Sequence, residues 1–293
     1  MNPHSLCIFG EVLFDIFPGD ERVLGGAPFN VAWHLQAFQA EPLFISRIGN
    51  DPLGREIRRR MEHWGMDAAG LQQDSTHPTG EVKITLADGE PSYDIVNHRA
   101  YDYIDRDALP PVVPQLIYHG SLALRNEVSR SALAGLRSRG ESQVFLDVNL
   151  RPPWWQPDEV LQMVTNAHWV KLNENELLAL SDGEGDLYEL ASHFQQKHDL
   201  DGLVVTRGGD GAFAIGKGGQ FAEIAPPEAL KVVDTVGAGD AFSSVLLLGL
   251  SRNWPLQQTL ERAQGFASQL VGQRGATVDN REFYQPFIDQ WSL

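Results

Sequence analysis

The sequence predicts an α/β fold in which a mainly parallel sheet is flanked by helices. Strand-like runs alternate with helical runs through the C-terminal half, as in "QVFLDVNL" followed by "PDEVLQMVTNA". Such alternation implies βαβ units and parallel strands. With 293 residues, of which 42% are hydrophobic, the chain can bury a sizeable core. No change in composition marks a second domain, so we predict one domain over residues 1–293.

The N-terminal elements follow from hydrophobic spacing and from glycine positions. "SLCIFGEVLFDIF" is strand material that Gly10 interrupts, and "EPLFISRIGND" is a strand followed by a turn. "GGAPFNVAWHLQAF" is a Gly-Gly turn that leads into a helix, and "PLGREIRRRMEHWGM" is a helix that Gly65 ends.

A hairpin breaks the strand–helix alternation. "GEVKITLADGEPSYDIV" alternates apolar and polar residues, turns at Asp88–Gly89 and continues as a second strand. Since two consecutive strands do not fit a βαβ rhythm, we predict that this hairpin is a flap or lid.

The C-terminal half supplies the rest of the sheet and its helices. Strands are predicted in "QLIYHGSLAL", "QVFLDVNL" and the start of "HWVKLNENELLAL", and "LDGLVVTRGGDGAFAI" is a strand, a glycine turn and a second strand. Helices are predicted in "SRSALAGLRSRG", "PDEVLQMVTNA", "DAFSSVLLLGLSR" and "LQQTLERAQGFASQLVG". A further strand is expected to end at "KVVD", just before the third of these helices.

Charge and cysteine content exclude several classes of protein. The net charge is −16, and the run Arg58-Arg59-Arg60 lies beside acidic residues, so nucleic-acid binding is not expected. The single cysteine, Cys7, permits no internal disulfide and fits a reducing cytoplasm. No apolar run is long enough to span a membrane, and the N-terminus lacks the basic region of a signal peptide. We therefore expect a cytoplasmic protein.

The segment "KVVDTVGAGDAFSS" carries the strongest indication of chemistry. Its small residues Gly237-Ala238-Gly239 directly precede a helix, where backbone N–H groups can bind an anion. Asp240 would repel that anion unless it acts on the group that attacks it, and a general base beside an anion hole suits phosphoryl transfer to a hydroxyl. Taken alone, the segment is equally compatible with an ordinary helix start that Asp240 caps.

Here the chain resembles a known family. "DTVGAGDAF" is similar to the signature of the ribokinase-like (PfkB-type) carbohydrate kinases, and further motifs follow in family order: "LGGAPFNVAWHL", "RIGNDPLG", "NENE", "TRGGDG" and "RGAT". The resemblance implies a ribokinase-like three-layer sandwich with a small β lid, whose strands come from about residues 11–20 and 79–104. It also implies ATP-dependent transfer of the γ-phosphate to a primary hydroxyl of a small sugar.

The resemblance implies a role for each matching residue. Asp240 matches the catalytic base, and the amides of Gly237, Ala238 and Gly239 match the anion hole. The remaining matches are the sugar-binding residues Asp15, Gly25, Gly26 and Asn30; the Mg2+ and ATP-phosphate residues Asn173 and Glu176, the latter holding Mg2+ through water; the nucleotide-binding residues Thr206, Gly208 and Gly209; the monovalent-cation (K+) residues Asp234 and Val236; and Arg151, a substrate-binding arginine.

The acceptor is less well specified than the reaction. "HGSLAL" and "DVNLRPPWW" resemble the fructokinase branch, so fructose is the first expectation, a 2-keto-3-deoxy sugar acid the second and a nucleoside the third. "NHRAYDYI" departs from the fructokinase pattern, and Arg99 within it is either a contact for an acidic acceptor or a solvent residue. A silent member that binds sugar or nucleotide is the non-enzyme alternative. Pairing of two lids would give a homodimer.

Two other motifs are rejected. "GAFAIGKG" has P-loop spacing, but Gly218 stands where a Ser or Thr should hold magnesium, and the context is strand–turn–strand. The histidines show no metal-ligand spacing and Cys7 has no cysteine partner, so no zinc site is predicted. The pair Trp154–Trp155 is either a sugar-stacking platform or, more often for such aromatics, packing.

Overall fold

The computed structural model describes residues 5–19, 21–87, 90–226 and 232–293. Its strands, in chain order, are β1 Leu6–Phe9, β2 Leu13–Ile16, β3 Arg22–Gly25, β4 Leu43–Gly49, β5 Leu71–Asp74, β6 Gly80–Ala87, β7 Glu90–Ile95, β8 Leu116–Gly120, β9 Gln143–Asp147, β10 Trp169–Asn173, β11 Gly202–Thr206, β12 Ala212–Gly216 and β13 Gln220–Ile224. Its α-helices are α1 Ala27–Ala37, α2 Pro52–Trp64, α3 Glu127–Arg137, α4 Pro157–Thr165, α5 Glu174–Leu180, α6 Leu187–Lys197, α7 Ala238–Ser251, α8 Leu256–Leu270 and α9 Gln285–Trp291.

These elements form two compact units. Unit 1 comprises Met1–Pro114, Ala123–Glu141 and Thr277–Leu293, and unit 2 comprises Gln115–Leu122 and Ser142–Ala276. The prediction of one domain over residues 1–293 stays a prediction. The predicted fold class, a mainly parallel sheet flanked by helices, is confirmed. Among the described residues, no helix is both long and apolar enough to cross a membrane.

Unit 1 contains parallel strands and a separate small sheet. Strands β1, β4 and β5 pair in parallel, in that order. The small sheet has the order β3-β2-β6-β7, in which only β2 and β6 are parallel. The predicted hairpin is therefore confirmed as β6–β7, although its predicted turn, Asp88–Gly89, lies outside the described residues. The lid role of this sheet stays a prediction.

Aromatic side chains fill the core of unit 1. The indole of Trp33 in α1 stacks on that of Trp64 in α2, with ring centroids 4.5 Å apart. The Trp33 Nε1–H donates to the carbonyl of Val278 at 3.0 Å, which fixes the C-terminal segment to α1. Burying an indole with its N–H paired retains the gain from apolar burial without leaving an unsatisfied donor.

Unit 2 carries the longer sheet segment, in the order β13-β12-β11-β10-β9-β8. Strands β8 to β11 are parallel, while β12 and β13 form an antiparallel hairpin at the edge. A continuous apolar cluster, which includes Leu146, Val170 and Leu203, packs these strands against α4, α5 and α6. The rejected P-loop motif begins at the turn between β11 and β12 and covers β12, so its predicted strand–turn–strand context is confirmed.

Two expectations around "KVVDTVGAGDAF" are wrong. Val232–Asp234 form no strand, and Lys231 lies outside the described residues. The backbone N–H groups of Val233 and Asp234 instead donate to the carbonyl of Val271, at 2.8 and 3.1 Å, so the end of α8 replaces a strand neighbour. Helix α7 also begins at Ala238, two residues before the expected start at Asp240.

Asp51 joins the start of α2 to the segment before β6. Its Oδ1 accepts from the Gly54 N–H and its Oδ2 from the Thr79 N–H, each at 2.8 Å. Burial alone raises the pKa of the Asp51 carboxyl, but the hydrogen bonds from Thr79 and Gly54 outweigh burial and lower it overall. The ionised form is therefore favoured by folding.

We expect Asp51→Ala to lower the free energy of unfolding by about 1–2 kcal/mol at pH 7, because the helix loses its N-cap. The deficit is complete above the unfolded-state pKa of about 3.9 and disappears as the pH falls through the lower folded-state pKa. Urea unfolding at several pH values measures it. Asp107→Ala, an exposed aspartate of the same unit, is the control and should change stability by less than ~0.5 kcal/mol. A deficit that persists undiminished at pH 2 would contradict this account.

Candidate active site

A cavity of about 510 Å³ lies within unit 2, between the β11–β12 turn and the helices α7 and α8. This volume is in the range of small-molecule sites. Its lining residues are Thr206, Gly208, Gly209, Gly211, Pro226, Val232, Thr235, Ala238, Gly239, Phe242, Gln264, Ala267, Ser268 and Val271. The structure therefore brings the predicted nucleotide turn together with two residues of the predicted anion hole.

The lining of the cavity combines apolar side chains with glycine-rich backbone. Val232, Phe242 and Val271 provide apolar surface, while Gln264 and Ser268 provide polar groups joined by a 3.0 Å hydrogen bond. Glycine-rich backbone and a helix start can bind anionic groups, and a flat apolar slot can bind an aromatic ring. The cavity thus has the features that a nucleotide requires.

The start of α7 depends on Gly237 having no side chain. Gly237 is the N-cap and adopts a left-handed conformation, φ +80°. A Cβ built there would lie 2.4 Å from the Cα of Ala276, which is closer than real contacts allow. Both the backbone angle and the closeness of Ala276 therefore require glycine at this position. Because Gly237 has no side chain, the "RGAT" segment can lie against the first turn of the helix.

The first turn of α7 presents the predicted amides and the predicted base. Gly239 and Asp240 are the second and third helical residues, and N–H groups of a first helical turn have no intrahelical acceptor. The Ala238 N–H differs, because it donates to the Thr235 carbonyl at 3.3 Å. Asp240 is half-buried. The assigned catalytic roles of Gly237, Ala238, Gly239 and Asp240 stay predictions.

Asn173 and Glu176 form a capping box at the start of α5. The Glu176 N–H donates to Asn173 Oδ1 at 2.9 Å, and the Asn173 N–H donates to Glu176 Oε2 at 2.8 Å. Glu176 Oε1 also accepts from the Leu150 N–H at 2.7 Å. Burial and the negative charge of Asp147 raise the pKa of Glu176. These bonds cap the start of the helix, and each Glu176 oxygen still has a lone pair that can accept from a water molecule.

The Asp234 carboxylate links the loop before α7 to the segment that contains Gly275. Its Oδ1 accepts from the Val236 N–H and its Oδ2 from the Gly275 N–H, both at 3.0 Å. The predicted cation residues Asp234 and Val236 are therefore held next to Thr235, which lines the cavity. Among the residues that can be described, no group of three or more Asp, Glu, His or Cys side chains could hold a metal ion.

Arg151 is exposed, in the segment that Glu176 anchors through Leu150. Its guanidinium donates a long hydrogen bond, 3.4 Å, to the Leu150 carbonyl. Trp155 packs against the apolar cluster of unit 2, which favours the packing interpretation for that side chain.

In unit 1, the residues of the predicted sugar set lie around the start of α1. Asp15 is in β2, and a Cβ on Gly25 would lie 3.6 Å from its Oδ2. Gly26 caps α1 with φ +109°, and a Cβ there would lie 2.7 Å from the Glu11 carbonyl oxygen. Asn30, one turn into α1, is buried, and its N–H donates to the Gly26 carbonyl at 2.9 Å. Their sugar-binding role stays a prediction.

Arg99 is not the solvent residue that the sequence allowed, and its role as a contact for an acidic acceptor stays a prediction. Its side chain is only 13% exposed and pairs with Glu81 at 2.8 Å. Arg125 is buried and pairs with Asp102 at 2.7 Å. Carboxylates of the same unit therefore offset both arginine charges.

Sequence reasoning missed a buried charge pair beside α7. Lys171 Nζ lies 2.9 and 3.0 Å from the two carboxylate oxygens of Asp147, and Ser243 Oγ donates to Asp147 Oδ2 at 2.7 Å. The available signal was a lysine in the middle of an otherwise apolar strand, "WVKLN". A charge at such a position is rarely buried without a partner.

The pfkB family carbohydrate kinase profile matches residues 14–282, so the chain belongs to this family. It is 32% identical to a fructokinase of Salmonella typhimurium, over 92% of this chain and 94% of that protein. The fold is similar to the crystal structure of Vibrio cholerae O395 fructokinase bound to fructose, ADP and calcium, with a TM-score of 0.82 and 25% identity over 96% and 97% of the two chains. It is also similar to Salmonella enterica aminoimidazole riboside kinase with its riboside and an ATP analogue, with a TM-score of 0.82 and 26% identity over 97% and 99%.

These similarities confirm the predicted family, its fructokinase-like branch and the ribokinase-like fold. They also confirm that the protein is an enzyme of the carbohydrate kinase class.

We expect Gly239→Val to lower kcat by ~100-fold or more, because its methyl groups occupy the space in front of the first-turn amides. Coupled ADP release with Mg-ATP and a sugar measures the loss. Gly265→Val is the matched control, since a Cβ at that position meets no atom within 4 Å. Unchanged turnover in Gly239→Val would exclude this helix start as the anion hole.

Proposed function

We propose that the protein is an ATP-dependent fructokinase, which transfers the γ-phosphate of ATP to a primary hydroxyl of fructose. The observation that carries the proposal is the cavity of unit 2, which joins the nucleotide turn to the first turn of α7. The fructokinases to which the chain is similar support the choice of acceptor.

ATP is the proposed phosphoryl donor, bound in this cavity. Its base would lie against the apolar surface of Val232, Phe242 and Val271, and its phosphates would approach the turn that contains Gly208 and Gly209. The net charge of −16 opposes a polyanionic ligand, so attraction must be local. The positive end of the α7 dipole supplies it.

Phosphoryl transfer then needs a base and an anion hole. Asp240 would accept the proton of the acceptor hydroxyl while that oxygen forms a bond to the γ-phosphorus. The bond from the γ-phosphorus to the β,γ-bridging oxygen breaks, and its electron pair leaves with ADP. The amides of the first turn, with Gly239 at their centre, would stabilise the charge on the transferred phosphoryl oxygens.

Mg2+ fits the proposed site as an ion held through water. Both Glu176 oxygens already accept a backbone N–H, yet each can still accept a hydrogen bond from a metal-bound water. Magnesium usually keeps several waters and binds substrate phosphates with few protein ligands. When bound, it would offset phosphate charge. Asn173 orients Glu176 through the capping box.

A monovalent cation such as K+ is proposed beside Asp234 and Val236. The two hydrogen bonds to the Asp234 carboxylate fix its oxygens, and oxygen donors suit a hard cation. The site lies next to the loop that leads into α7, so an ion there would affect the anion hole through the backbone.

The acceptor is proposed to be neutral. Asp15 and Asn30 can exchange hydrogen bonds with sugar hydroxyls, and Gly25 and Gly26 permit close approach of a ligand to the backbone. Because Glu81 neutralises Arg99, this arginine does not favour the carboxylate of a 2-keto-3-deoxy sugar acid. Arg151 is exposed and is proposed to contact the phosphoryl group or the acceptor. A riboside is the second candidate, since the chain is also similar to aminoimidazole riboside kinase.

The small sheet of unit 1 is proposed to act as the lid and to pair with that of a second copy. Phe17, Val23 and Tyr93 expose 37%, 37% and 61% of their surface on or beside this sheet. Exposed apolar side chains on a sheet with free edges favour association. A lid would exclude water, which competes with the sugar for the phosphoryl group. The use of ATP supports the predicted cytoplasmic location.

A panel of acceptors tests the proposed function. Coupled ADP release would be measured with Mg-ATP and fructose, other hexoses, ribose, 2-keto-3-deoxygluconate, adenosine and aminoimidazole riboside, with and without K+. We expect the fastest release with fructose and a further increase with K+. Faster release with the sugar acid or with a nucleoside would replace fructose as the substrate, and acceptor-independent release alone would contradict a sugar kinase.

We expect Asp240→Asn to lower kcat by ~10²–10⁴-fold with little change in the affinity for ATP, because only proton acceptance is lost. Initial rates and titration with an unreactive ATP analogue separate the two effects. Asp182→Asn, an exposed acid of unit 2 paired with Lys197, is the control. Near-normal turnover of Asp240→Asn would remove Asp240 as the base.

A further inference from the structure

Unit 2 buries a lysine that the proposed reaction does not yet use. Lys171 lies in the middle of β10, between the buried residues Val170 and Leu172, and is only 6% exposed. An ammonium group in such surroundings is costly unless its charge and its N–H donors are satisfied. Its position close to the start of α7 therefore requires an explanation.

Asp147 satisfies part of this requirement. It lies opposite Lys171 in the parallel β9–β10 pair, and both of its oxygens accept from Nζ, at 3.0 and 2.9 Å. Asp147 Oδ2 also accepts from Ser243 Oγ at 2.7 Å and, more weakly, from the Tyr118 hydroxyl at 3.4 Å. We call Lys171, Asp147, Ser243 and Tyr118 the buried charge network.

This network reaches the anion hole by two routes. Ser243 lies one turn after Gly239 on α7, and its Oγ is 3.0 Å from the Gly239 carbonyl oxygen. Lys171 Nζ itself lies against the first turn, since a Cβ on Gly239 would be 3.6 Å from it. The network thus holds α7 through the bond from Ser243 to Asp147 and places a cation beside the Gly239 position.

The electrostatics of this arrangement favour an anion. The N-terminal end of α7 carries a positive partial charge, and Lys171 adds a full positive charge beside it. The carboxylate of Asp147 offsets the charge of Lys171 and leaves the partial charge of the helix end. Glu176 interacts electrostatically with both members of the pair. The negative charge of Asp147 raises the pKa of Glu176, and the positive charge of Lys171 lowers it. The helix end and Lys171 are the two groups here that attract an anion bound in front of Gly239.

We propose that Lys171 is a positioning residue for phosphoryl transfer. Held by Asp147, which also holds α7 through Ser243, it adds positive potential beside Gly239, where charge would develop on the transferred phosphoryl group. The inference rests on the proposed kinase function. The competing view is that the network only braces the fold.

The double variant Lys171→Met/Asp147→Asn separates these views. Removing Lys171 alone would leave Asp147 buried and unpaired, whereas neutral residues of similar volume in both positions usually preserve stability. We expect an unchanged or higher melting temperature, a kcat lower by ~100-fold and little change in the KM values for ATP and sugar. Lys217→Met/Asp201→Asn, which removes an exposed pair of unit 2, is the matched control and should keep full activity.

Ser243→Ala tests the network without removing a charge. It deletes only the hydroxyl between Asp147 and α7, and we expect a kcat lower by about 3- to 10-fold. Ser251→Ala is its control, because Ser251 Oγ bonds only within the last turn of the same helix, to the Leu248 carbonyl. If Ser243→Ala behaves like Ser251→Ala, the brace on the first turn is excluded.

A binding measurement tests the effect of Lys171 on the bound phosphoryl group without requiring turnover. Calorimetric titration would use Mg-ADP with the best acceptor, with and without aluminium fluoride as a mimic of the transferred phosphoryl group. The double variant should bind Mg-ADP with the affinity of the unmodified protein. Aluminium fluoride should increase that affinity ~10-fold less in the double variant than in the unmodified protein.

The outcomes are distinct. A folded double variant with normal kcat and a normal aluminium fluoride effect would overturn the role of Lys171 while leaving the proposed function intact. No acceptor-dependent ADP release by the unmodified protein would overturn the proposed function and this inference together.

Discussion

The absence of a side chain at Gly237 is the constraint on which the rest of the site in unit 2 depends. Its left-handed backbone and its contact with Ala276 fix where α7 begins. Because a helix exposes N–H groups only in its first turn, this one position decides where an anion can bind. The cavity, Asp240 and the buried charge network are all placed relative to that turn.

Electrostatics bear on how an acidic protein would bind the anionic nucleotide that is proposed as its substrate. The chain carries a net charge of −16, so its overall field repels phosphates. The α7 dipole and Lys171 concentrate positive potential at one point, while Asp147 and Glu176 are held by hydrogen bonds within unit 2. In a site of low dielectric constant, such fixed groups act more strongly than mobile surface charges.

Much of this could be predicted from the sequence. Glycine positions and hydrophobic spacing predicted the helices α1, α2 and α7, whereas the anion hole expected at the glycines 237 and 239 stays a prediction. The strand expected at "KVVD" was wrong, because the N–H groups of Val233 and Asp234 donate to the carbonyl of Val271. This acceptor comes 38 residues after Val233 in the chain.

Other features depended on contacts that no local pattern reveals. Helices α6 and α9 and strands β3, β5 and β13 were not predicted. The lysine in "WVKLN" stood out, but its partners could not be read from the sequence, since Asp147 comes from the preceding strand and Ser243 from a helix far along the chain. Arg99 looked available to a substrate because its pairing with Glu81 requires the fold of unit 1.

The most direct test of the central claim is to follow the fate of the γ-phosphate by 31P NMR in a mixture of the protein, Mg-ATP and fructose. If transfer occurs to a sugar hydroxyl beside the first turn of α7, ADP and a fructose phosphomonoester will appear in equal amounts, with no inorganic phosphate. Formation of inorganic phosphate in place of the ester, or ATP that stays intact beside bound fructose, would contradict the account.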